Sequence, residues 1–259
     1  MLEAALYGLV QGLTEFLPIS SSGHLALYSA VIEAEGRPAP LFYSVLVHVA
    51  SLLAVLVVFR REAVRLVGRD RRLGGYILLA TVPAVLAGVL LHGLIEEVLA
   101  GPGPVACCLI VTGAALIAGE WAARRRAGAA FAEQRLTALQ AVAVGVAQAA
   151  ALLPGVSRSG MTISAGRALG LDRGASVRFA FLLGIPAIGG AGLYEALNVA
   201  REGMAAGVAV GPSAAAAFVV SLASSWAALV LLIRLVRRVG LWVFAPYCFL
   251  LAGVVLVAV

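Results

Sequence analysis

The chain is poor in charged residues and contains no lysine. Charged residues make up 12% of its 259 positions, whereas a soluble domain of this length carries about 25%. All 19 basic residues are arginines, 62% of the residues are hydrophobic, and the mean hydropathy is +1.03. This composition excludes an ordinary soluble domain and predicts an all-α integral membrane protein.

Cysteine is also scarce. The three cysteines, Cys107, Cys108 and Cys248, lie within apolar runs and lack the spacing of metal ligands. We therefore expect them to be buried as small apolar side chains, and we predict neither a disulfide framework nor a zinc site.

Long apolar runs are what the chain has in abundance. Six of them are each about as long as a membrane-spanning helix, roughly 20 residues. They cover 41–59, 74–95, 104–123, 177–200, 213–233 and 239–259. The sequence therefore predicts six full spans. The first ten residues lack the basic region and the cleavage site of a signal peptide, so we expect the first helix to stay in the mature protein.

Arginine clusters between the apolar runs, in segments 60–72, 124–135 and 234–238. The positive-inside rule predicts that these segments lie in the cytoplasm, so the net charge of +6 indicates topology rather than nucleic-acid binding. If these segments all lie in the cytoplasm, the last three runs cross the membrane in the opposite orientation to the first three.

Each set of three runs is preceded by a polar segment that proline and glycine interrupt. The first reads "VQGLTEFLPISSSGH" and the second "AQAAALLPGVSRSGM", and Gln148 lies 137 residues after Gln11. We interpret this as an inverted duplication within one membrane domain, with halves of approximately 1–125 and 126–259. We expect each segment to be a re-entrant helix-turn-helix whose turn meets the other, because non-helical backbone at membrane depth must be buried in protein or line a wet cavity.

The second turn, "PGVSRSGMT", contains one arginine, Arg158. An arginine facing lipid at the bilayer centre costs about 3 kcal/mol or more, so it requires an anionic partner or water. Three hydroxyl residues surround it: Ser157, Ser159 and Thr162. With a helix expected to begin after Gly160, this pattern indicates a phosphate cradle. The alternative is that Ser157 and Ser159 cap the helix and Arg158 pairs with Glu15 structurally.

The first turn brings a carboxylate, a hydroxyl and an imidazole close together in sequence. Glu15, Ser21 and His24 could act as base, nucleophile and acid. The structural alternatives are a serine cap, an interfacial histidine and a counter-ion for Arg158. Elsewhere, His48 could line the same cavity with Ser51 or be packed in its helix.

Other signals outside the turns favour structural roles. Arg167, Arg173 and Arg178 fit the cytoplasmic approach to the fourth span, which indicates topology. Pro83 and Pro186 are expected to kink helices.

The two motifs identify a resemblance. "QGLTEFLPISSSGH" and "LPGVSRSGMTISAGRALGLDR", followed by "FAFLLGIP", closely resemble the bacterial undecaprenyl-diphosphate phosphatase family of the bacitracin-resistance type, over essentially the whole chain. The resemblance implies a multi-pass enzyme of the bacterial inner membrane that removes the terminal phosphate of C55 polyprenyl diphosphate, with its site facing the periplasm. It implies Mg²⁺ or Ca²⁺ as cofactor, the lipid substrate and membrane lipids as partners, and no nucleic acid, and it leaves a homodimer open.

The resemblance also assigns roles to residues at matching positions. The expected catalytic residues are Glu15, Ser21, His24 and Arg158, with Glu15 also as a metal ligand. The expected substrate-binding residues are Gln11, Ser20, Ser22, Ser157, Ser159, Gly160 and Thr162. Two positions depart from the family pattern. Gln11 stands where glutamate is frequent, which removes one metal ligand, and Ala180 replaces a serine common in "FSFLL".

The implied mechanism is in-line attack on the terminal phosphorus, with the phosphoryl charge held by Arg158 and by N–H groups of the second turn. Ser21 is the preferred nucleophile, and His24 or an activated water are the alternatives. An inverted repeat with broken helices is also how secondary transporters are built. The rival function is therefore a flippase or carrier for a polyprenyl phosphate that uses the same site.

Overall fold

The structure is a computed structural model that describes residues 1–34, 41–98, 101–126, 130–203 and 211–258. The described residues form α-helices, two short 3₁₀ helices and one isolated bridge between Phe131 and Leu171. The α-helices are α1 (Leu2–Phe16), α2 (Ser21–Ala34), α3 (Leu41–Val58), α4 (Arg60–Val67), α5 (Arg71–Val98), α6 (Pro102–Arg125), α7 (Ala138–Ala150), α8 (Arg158–Ala168), α9 (Arg173–Gly203), α10 (Pro212–Arg238) and α11 (Ala245–Ala258). The all-α membrane class is confirmed.

Five helical stretches are long and apolar enough to cross a membrane on their own: Arg71–Leu91, Pro102–Arg125, Arg173–Asn198, Pro212–Arg238 and Leu241–Ala258. The predicted first span is α3, whose 18 residues are followed after Phe59 by α4. The two helices meet at an angle of 80°. Because α4 is rich in arginine and buries no residue, we infer that it lies along the membrane surface rather than continuing the span.

Several predicted boundaries are wrong. The second and fourth spans are longer than the apolar runs, because α5 and α9 extend into polar sequence at both ends. The last helix begins at Ala245 rather than at residue 239, because Gly240 adopts φ +87 and a 3₁₀ turn, Leu241–Phe244, follows it. The final residue of that run, 259, lies outside the described residues. Pro83 and Pro186 both lie inside helices, as expected.

One cysteine prediction is also wrong. Cys108 and Cys248 are buried, but Cys107 is exposed on α6. The outer surface of a spanning helix faces lipid tails, which are as apolar as a protein core, so exposure there carries little cost.

The helix ends follow local sequence signals. Thr137 and Gln140 form a capping box at the start of α7, in which each side chain bonds the other residue's backbone N–H. Pro102 and Pro212 begin α6 and α10, at the helix position where the missing N–H costs nothing.

Two helical hairpins, α1–α2 and α7–α8, correspond to the two polar segments. Helix α1 packs against α10, and α7 packs against α5. A Cβ at Gly8 would overlap the carbonyl oxygen of Ala217, and a Cβ at Gly145 would overlap that of Ala80. Gly145 lies 137 positions after Gly8, and Ala217 lies 137 positions after Ala80. This is also the spacing of the two motifs. This packing fits the predicted duplication; the halves 1–125 and 126–259 stay a prediction.

The two turns touch each other, as the sequence predicted. A Cβ at Gly23 would lie 2.9 Å from the Cα of Gly155, so the backbones are in contact at glycines. The hydroxyl of Ser159 also donates a hydrogen bond to the carbonyl oxygen of Leu17, over 3.2 Å. The turns therefore form one continuous polar region.

An apolar core lies between the turns and the end of the molecule that carries the arginine-rich segments, which we call the arginine-rich face. Phe16, next to the first turn, packs edge-on against Phe181 of α9, and Phe181 in turn contacts Phe59. The same cluster continues through buried residues of α9 and α10 to Leu241. We infer that packed side chains separate the turns from the arginine-rich face.

Candidate active site

Glu15 is the centre of the polar region. It lies in the last turn of α1 and is 8% exposed. Its Oε1 accepts a hydrogen bond from Nη2 of Arg158 at 2.8 Å, and its Oε2 accepts from the hydroxyl of Ser21 at 2.6 Å and from Nε2 of Gln11 at 3.1 Å. The Glu15 carboxylate thus joins three other residues that the sequence predicted for the site.

The first turn presents Ser21 to this carboxylate. After α1 ends, Leu17 is extended and Ser20 adopts φ +71, which is the left-handed region. A non-glycine residue held there costs roughly 1–3 kcal/mol, and such residues cluster at functional sites. The Ser20 hydroxyl accepts from the N–H of Gly23 at 3.2 Å and lies 3.3 Å from that of Ser22. Ser20 therefore caps α2, and Ser21 is its first residue.

The second turn has the same capping arrangement. The Ser157 hydroxyl accepts from the N–H of Gly160 at 3.1 Å and lies 3.2 Å from that of Ser159. Helix α8 consequently begins at Arg158, and the predicted start after Gly160 is wrong because Ser157 is the N-cap. Arg158 and Ser159 thus lie in the first turn, where backbone N–H groups have no partner within the helix.

Helix α6 anchors the second turn. The hydroxyl of Thr112 donates to the carbonyl oxygen of Gly155 and accepts from the N–H of Ser157, both over 2.9 Å. Gly155 adopts φ +97, a conformation that a side chain would strain. The sequence analysis missed Thr112, because a threonine within an apolar span carries no local signal.

Arg158 extends over the backbone of α9 at Gly184, where any Cβ would overlap Nη1 of the guanidinium. Its side chain is 16% exposed. Among the described residues, only Glu15 accepts a hydrogen bond from the guanidinium, and only from Nη2. The other N–H donors are therefore available for phosphoryl oxygens.

The ring of His24 contacts Ser20 and Tyr247. Its Nδ1 is 2.7 Å from the carbonyl oxygen of Ser20, so this nitrogen carries a proton and donates. Its Nε2 is 2.7 Å from the hydroxyl of Tyr247 in α11, and the two rings stack at 5.7 Å. The structure does not bring His24 into hydrogen-bond contact with Glu15 or Ser21. No sequence motif pointed to Tyr247, which lies more than 220 residues from His24 along the chain.

The remaining predicted hydroxyls hold the turns together. Thr162 donates to the carbonyl oxygen of Arg158 at 2.8 Å, and Ser159 bonds Leu17. Their substrate contacts stay predictions. Ser51 is paired with Ser225 of α10 at 3.0 Å, and His48 contacts Glu195 at 3.4 Å.

The three arginines that the sequence analysis predicted at the cytoplasmic approach to the fourth span form ion pairs. Arg167 and Arg173 lie 3.7 and 3.6 Å from Glu120, and Arg178 lies 2.7 Å from Glu133. Two cavities of about 330 and 210 Å³ adjoin this region, and both are lined by Arg178. Neither is lined by Glu15 or Arg158, so the chemistry at the turns, rather than cavity volume, locates the candidate site.

The side chains around Glu15 offer few ligands for a divalent cation. Among the described residues, no group of three or more histidine, cysteine, aspartate or glutamate side chains lies together. Glu15 is one carboxylate, and Oε1 of Gln11 is buried without a hydrogen-bond partner. Because Mg²⁺ can be bound through one or two carboxylates together with substrate phosphates, this donor set fits such an ion once substrate is bound.

The fold and this centre define a multi-pass membrane protein with a buried carboxylate, hydroxyl and guanidinium where two broken helical segments meet. A family model described as "Bacitracin resistance protein BacA" matches residues 4–254. The chain belongs to this family, which confirms the resemblance.

Curated relatives match this chain over nearly its whole length and nearly the whole of their own. A Rubrobacter xylanophilus protein named undecaprenyl-diphosphatase is 39% identical over 98% of this chain and 97% of its own. Proteins of the same name from Mycobacterium sp. (strain KMS) and Alcanivorax borkumensis are 40% and 39% identical, covering 99% and 95% of this chain and 95% and 94% of theirs.

Proposed function

We propose that this protein hydrolyses undecaprenyl diphosphate to undecaprenyl phosphate and inorganic phosphate, which recycles the lipid carrier for cell-wall synthesis and confers bacitracin resistance. The observation that carries the proposal is the buried Glu15 carboxylate, which holds the Ser21 hydroxyl at 2.6 Å and the Arg158 guanidinium at 2.8 Å. The names of relatives that match nearly the whole chain support the substrate.

The proposed reaction begins with attack of an activated hydroxyl on the terminal phosphorus. Ser21 is the hydroxyl whose proton already points at Glu15, which favours it over His24 or water as nucleophile. Glu15 takes this proton as the bond from the Ser21 oxygen to phosphorus forms and the bond from phosphorus to the bridging oxygen breaks. A water molecule then attacks the phosphoserine, which releases inorganic phosphate and restores the Ser21 hydroxyl. The free N–H groups of Arg158 and of the first turn of α8 hold the phosphoryl oxygens, where charge develops. His24, with its ring fixed by Tyr247, is the proposed acid for the leaving phosphate, and it acts as one in the imidazolium form, in which Nε2 also carries a proton.

We also propose a divalent cation, Mg²⁺ or Ca²⁺, as cofactor. Glu15 and Oε1 of Gln11 would hold it. When bound, the ion neutralises charge on the diphosphate.

The proposed location is the bacterial inner membrane, with the site opening away from the arginine-rich face. The apolar core beneath Phe16 supports this direction. Under the positive-inside rule the open side is the periplasm. The homodimer stays a prediction.

The test is phosphate release from a C55 or shorter polyprenyl diphosphate by purified protein in detergent, with and without EDTA. Wild type should release phosphate, whereas Glu15→Ala and Arg158→Ala should not. Arg234→Ala, at the exposed end of α10, is a matched arginine control and should behave as wild type.

A well-folded wild-type protein that releases no phosphate, with or without added Mg²⁺ or Ca²⁺, would contradict the proposal. Intact lipid moving between vesicle leaflets would then favour the carrier alternative. Nothing in the described part of the chain favours that alternative over hydrolysis.

A further inference from the structure

A tyrosine hydroxyl from α11 adjoins the candidate active site. Tyr247 lies in the first turn of this helix, and its hydroxyl is 2.7 Å from Nε2 of His24. The two rings stack almost in parallel, with an angle of 5° between their planes. The next residue, Cys248, is buried, and its Sγ lies 3.7 Å from the carbonyl oxygen of Pro18 in the first turn. The start of α11 is therefore packed against the turn that leads to Ser21.

Tyr247 lies at an accessible position beside this turn. It is 43% exposed, and Ser21 and His24 are half-buried, whereas Glu15 is only 8% exposed. His24 follows Ser21 by three positions in α2, so the two side chains lie on the same face of that helix. The pair of Tyr247 and His24 thus shares one accessible helix face with Ser21, which is what contact with the same substrate requires.

Both ring nitrogens of His24 already have partners. Nδ1 donates to the carbonyl oxygen of Ser20 at 2.7 Å, because a carbonyl oxygen can only accept. Nε2 faces the hydroxyl of Tyr247. In the imidazolium form both nitrogens carry a proton, and these two oxygens accept them. A proton of His24 can therefore reach a substrate only through the oxygen of Tyr247.

The single proton of the Tyr247 hydroxyl changes direction with the charge of His24. Beside the neutral ring, the hydroxyl donates to Nε2. Beside the imidazolium, its oxygen accepts from Nε2–H, and its own proton must point away from the ring. No other group in the described part of the chain hydrogen-bonds this hydroxyl. The proton is consequently available to a substrate oxygen when His24 is charged.

The proposed reaction needs such a donor at its leaving group. The bridging oxygen of the diphosphate gains an electron pair as its bond to the terminal phosphorus breaks, and a positioned acid that protonates it lowers the barrier. In this step Glu15 accepts a proton rather than donating one. Arg158 is always protonated and does not release its proton.

We propose that Tyr247 is a catalytic residue, whose hydroxyl gives its proton to the bridging oxygen of the leaving lipid phosphate while Nε2 of His24 replaces that proton. The inference rests on the proposed hydrolase function. The bond from the Ser21 oxygen to phosphorus forms, the bond from phosphorus to the bridging oxygen breaks, and the electron pair of the broken bond takes the tyrosine proton. Tyr247 stays neutral and the imidazolium becomes neutral imidazole. His24 then regains its proton from solvent through the same exposed hydroxyl.

The test compares kcat/KM and Tm for phosphate release by wild type, Tyr247→Phe, His24→Gln and the double variant. Phenylalanine keeps the ring that stacks on His24 but has no proton to give, so Tyr247→Phe should lower kcat/KM by about tenfold or more with a Tm close to wild type. The amide of His24→Gln can still donate to the Tyr247 oxygen, so its loss should not exceed that of Tyr247→Phe. The double variant should match Tyr247→Phe, because residues that act as a unit are not additive.

Tyr76→Phe is the matched tyrosine control. Its hydroxyl accepts a hydrogen bond from Nε of Arg72 at 2.9 Å near the start of α5, next to an arginine-rich segment. This substitution also removes one hydroxyl and one hydrogen bond, but it should leave kcat/KM at the wild-type value.

Four outcomes would overturn the assignment of Tyr247. A kcat/KM of Tyr247→Phe equal to that of Tyr76→Phe would do so alone. A large loss in His24→Gln with a small one in Tyr247→Phe would make His24 the direct donor and Tyr247 only its support. Loss of activity in Tyr247→Phe together with a clearly lowered Tm would identify a structural hydrogen bond between α2 and α11. A wild-type protein that releases no phosphate would overturn the proposed function as well.

Discussion

At the scale of single residues, Glu15 has two separable tasks. It neutralises a guanidinium that is only 16% exposed, and it accepts the hydrogen bond of the Ser21 hydroxyl, whose proton it takes in the proposed mechanism. Removing one partner of a buried ion pair leaves an uncompensated charge, which typically costs about 3–5 kcal/mol, whereas replacing both partners often costs little.

Because a single and a double substitution differ in this cost, the two variants can separate the effect of Glu15 on stability from its effect on catalysis. Glu15→Gln should lower Tm and reduce phosphate release at least about 100-fold, since both the counter-ion and the base are lost. The double variant Glu15→Gln, Arg158→Gln should regain most of the Tm but none of the activity. Thermal unfolding and phosphate release in detergent check both parts. Activity in the double variant close to that of wild type would contradict the assigned roles.

Gly184 provides a way to move Arg158 without changing it. A methyl group at this position would overlap Nη1 of the guanidinium. Because misplacement of a binding group by about 1 Å can cost about 100-fold in rate, Gly184→Ala should reduce kcat strongly. Gly190→Ala is the matched control on the same helix, since its Cβ would meet no atom within 4 Å. Equal kcat values for the two variants would show that Arg158 does not need its observed position.

At the scale of secondary-structure elements, the hairpins depend on close packing through glycine. Gly8→Ala and Gly145→Ala each place a methyl group against a carbonyl oxygen of the neighbouring helix. Overpacking of this kind typically costs about 1–3 kcal/mol, so both variants should lower Tm. Gly75→Ala, where a Cβ meets nothing within 4 Å, should leave Tm equal to or above that of wild type. Unchanged Tm values for both hairpin variants would refute this packing argument.

The elements were predictable where the sequence signal was local. The Gln, Pro and Gly spacing predicted two hairpins whose turns meet, and the apolar runs predicted the spans. The start of α8 was not predictable from Gly160, because the capping hydroxyl of Ser157 decides it. The bend after α3 was also missed, because the apolar run continues to Phe59 and only the charge that follows turns the chain.

The residues of the candidate site were likewise predictable only where the sequence around them carried a signal. Glu15 and Arg158 each required a partner in an apolar environment, so their pairing could be foreseen as an alternative. Thr112 and Tyr247 could not be foreseen, because distant helices contribute them and neither has a sequence motif around it. Long-range packing alone brings them to the turns.

At the scale of the whole molecule, one ion pair at the arginine-rich face joins the segment before α7 to α9. Arg178 donates two hydrogen bonds to Glu133, at 2.8 and 2.7 Å. Burial alone would raise the pKa of Glu133, but the hydrogen bonds and charge of Arg178 outweigh it, so the pKa lies below the ordinary value of 4.5.

The lowered pKa of Glu133 determines how its contribution to stability depends on pH. A carboxylate with a lowered pKa stabilises the folded state above its ordinary pKa, and this contribution is lost as the pH falls through the lowered value. The difference in Tm between wild type and Glu133→Gln should therefore be constant above about pH 5.5 and shrink below pH 4.5. Thermal unfolding of both proteins across this range provides the check. A Tm difference that grows on acidification would contradict the assignment.

The equal capping of the two turns has a consequence for how such a centre can arise. Ser157 lies 137 residues after Ser20 and makes the same cap, but the next position holds Ser21 in one turn and Arg158 in the other. The counterpart of Glu15 at this spacing is Leu152. Two copies of one half-length polypeptide would place two serines or two arginines face to face. Joining both halves in a single gene lets each diverge, so that one supplies the attacking group and the other the cation.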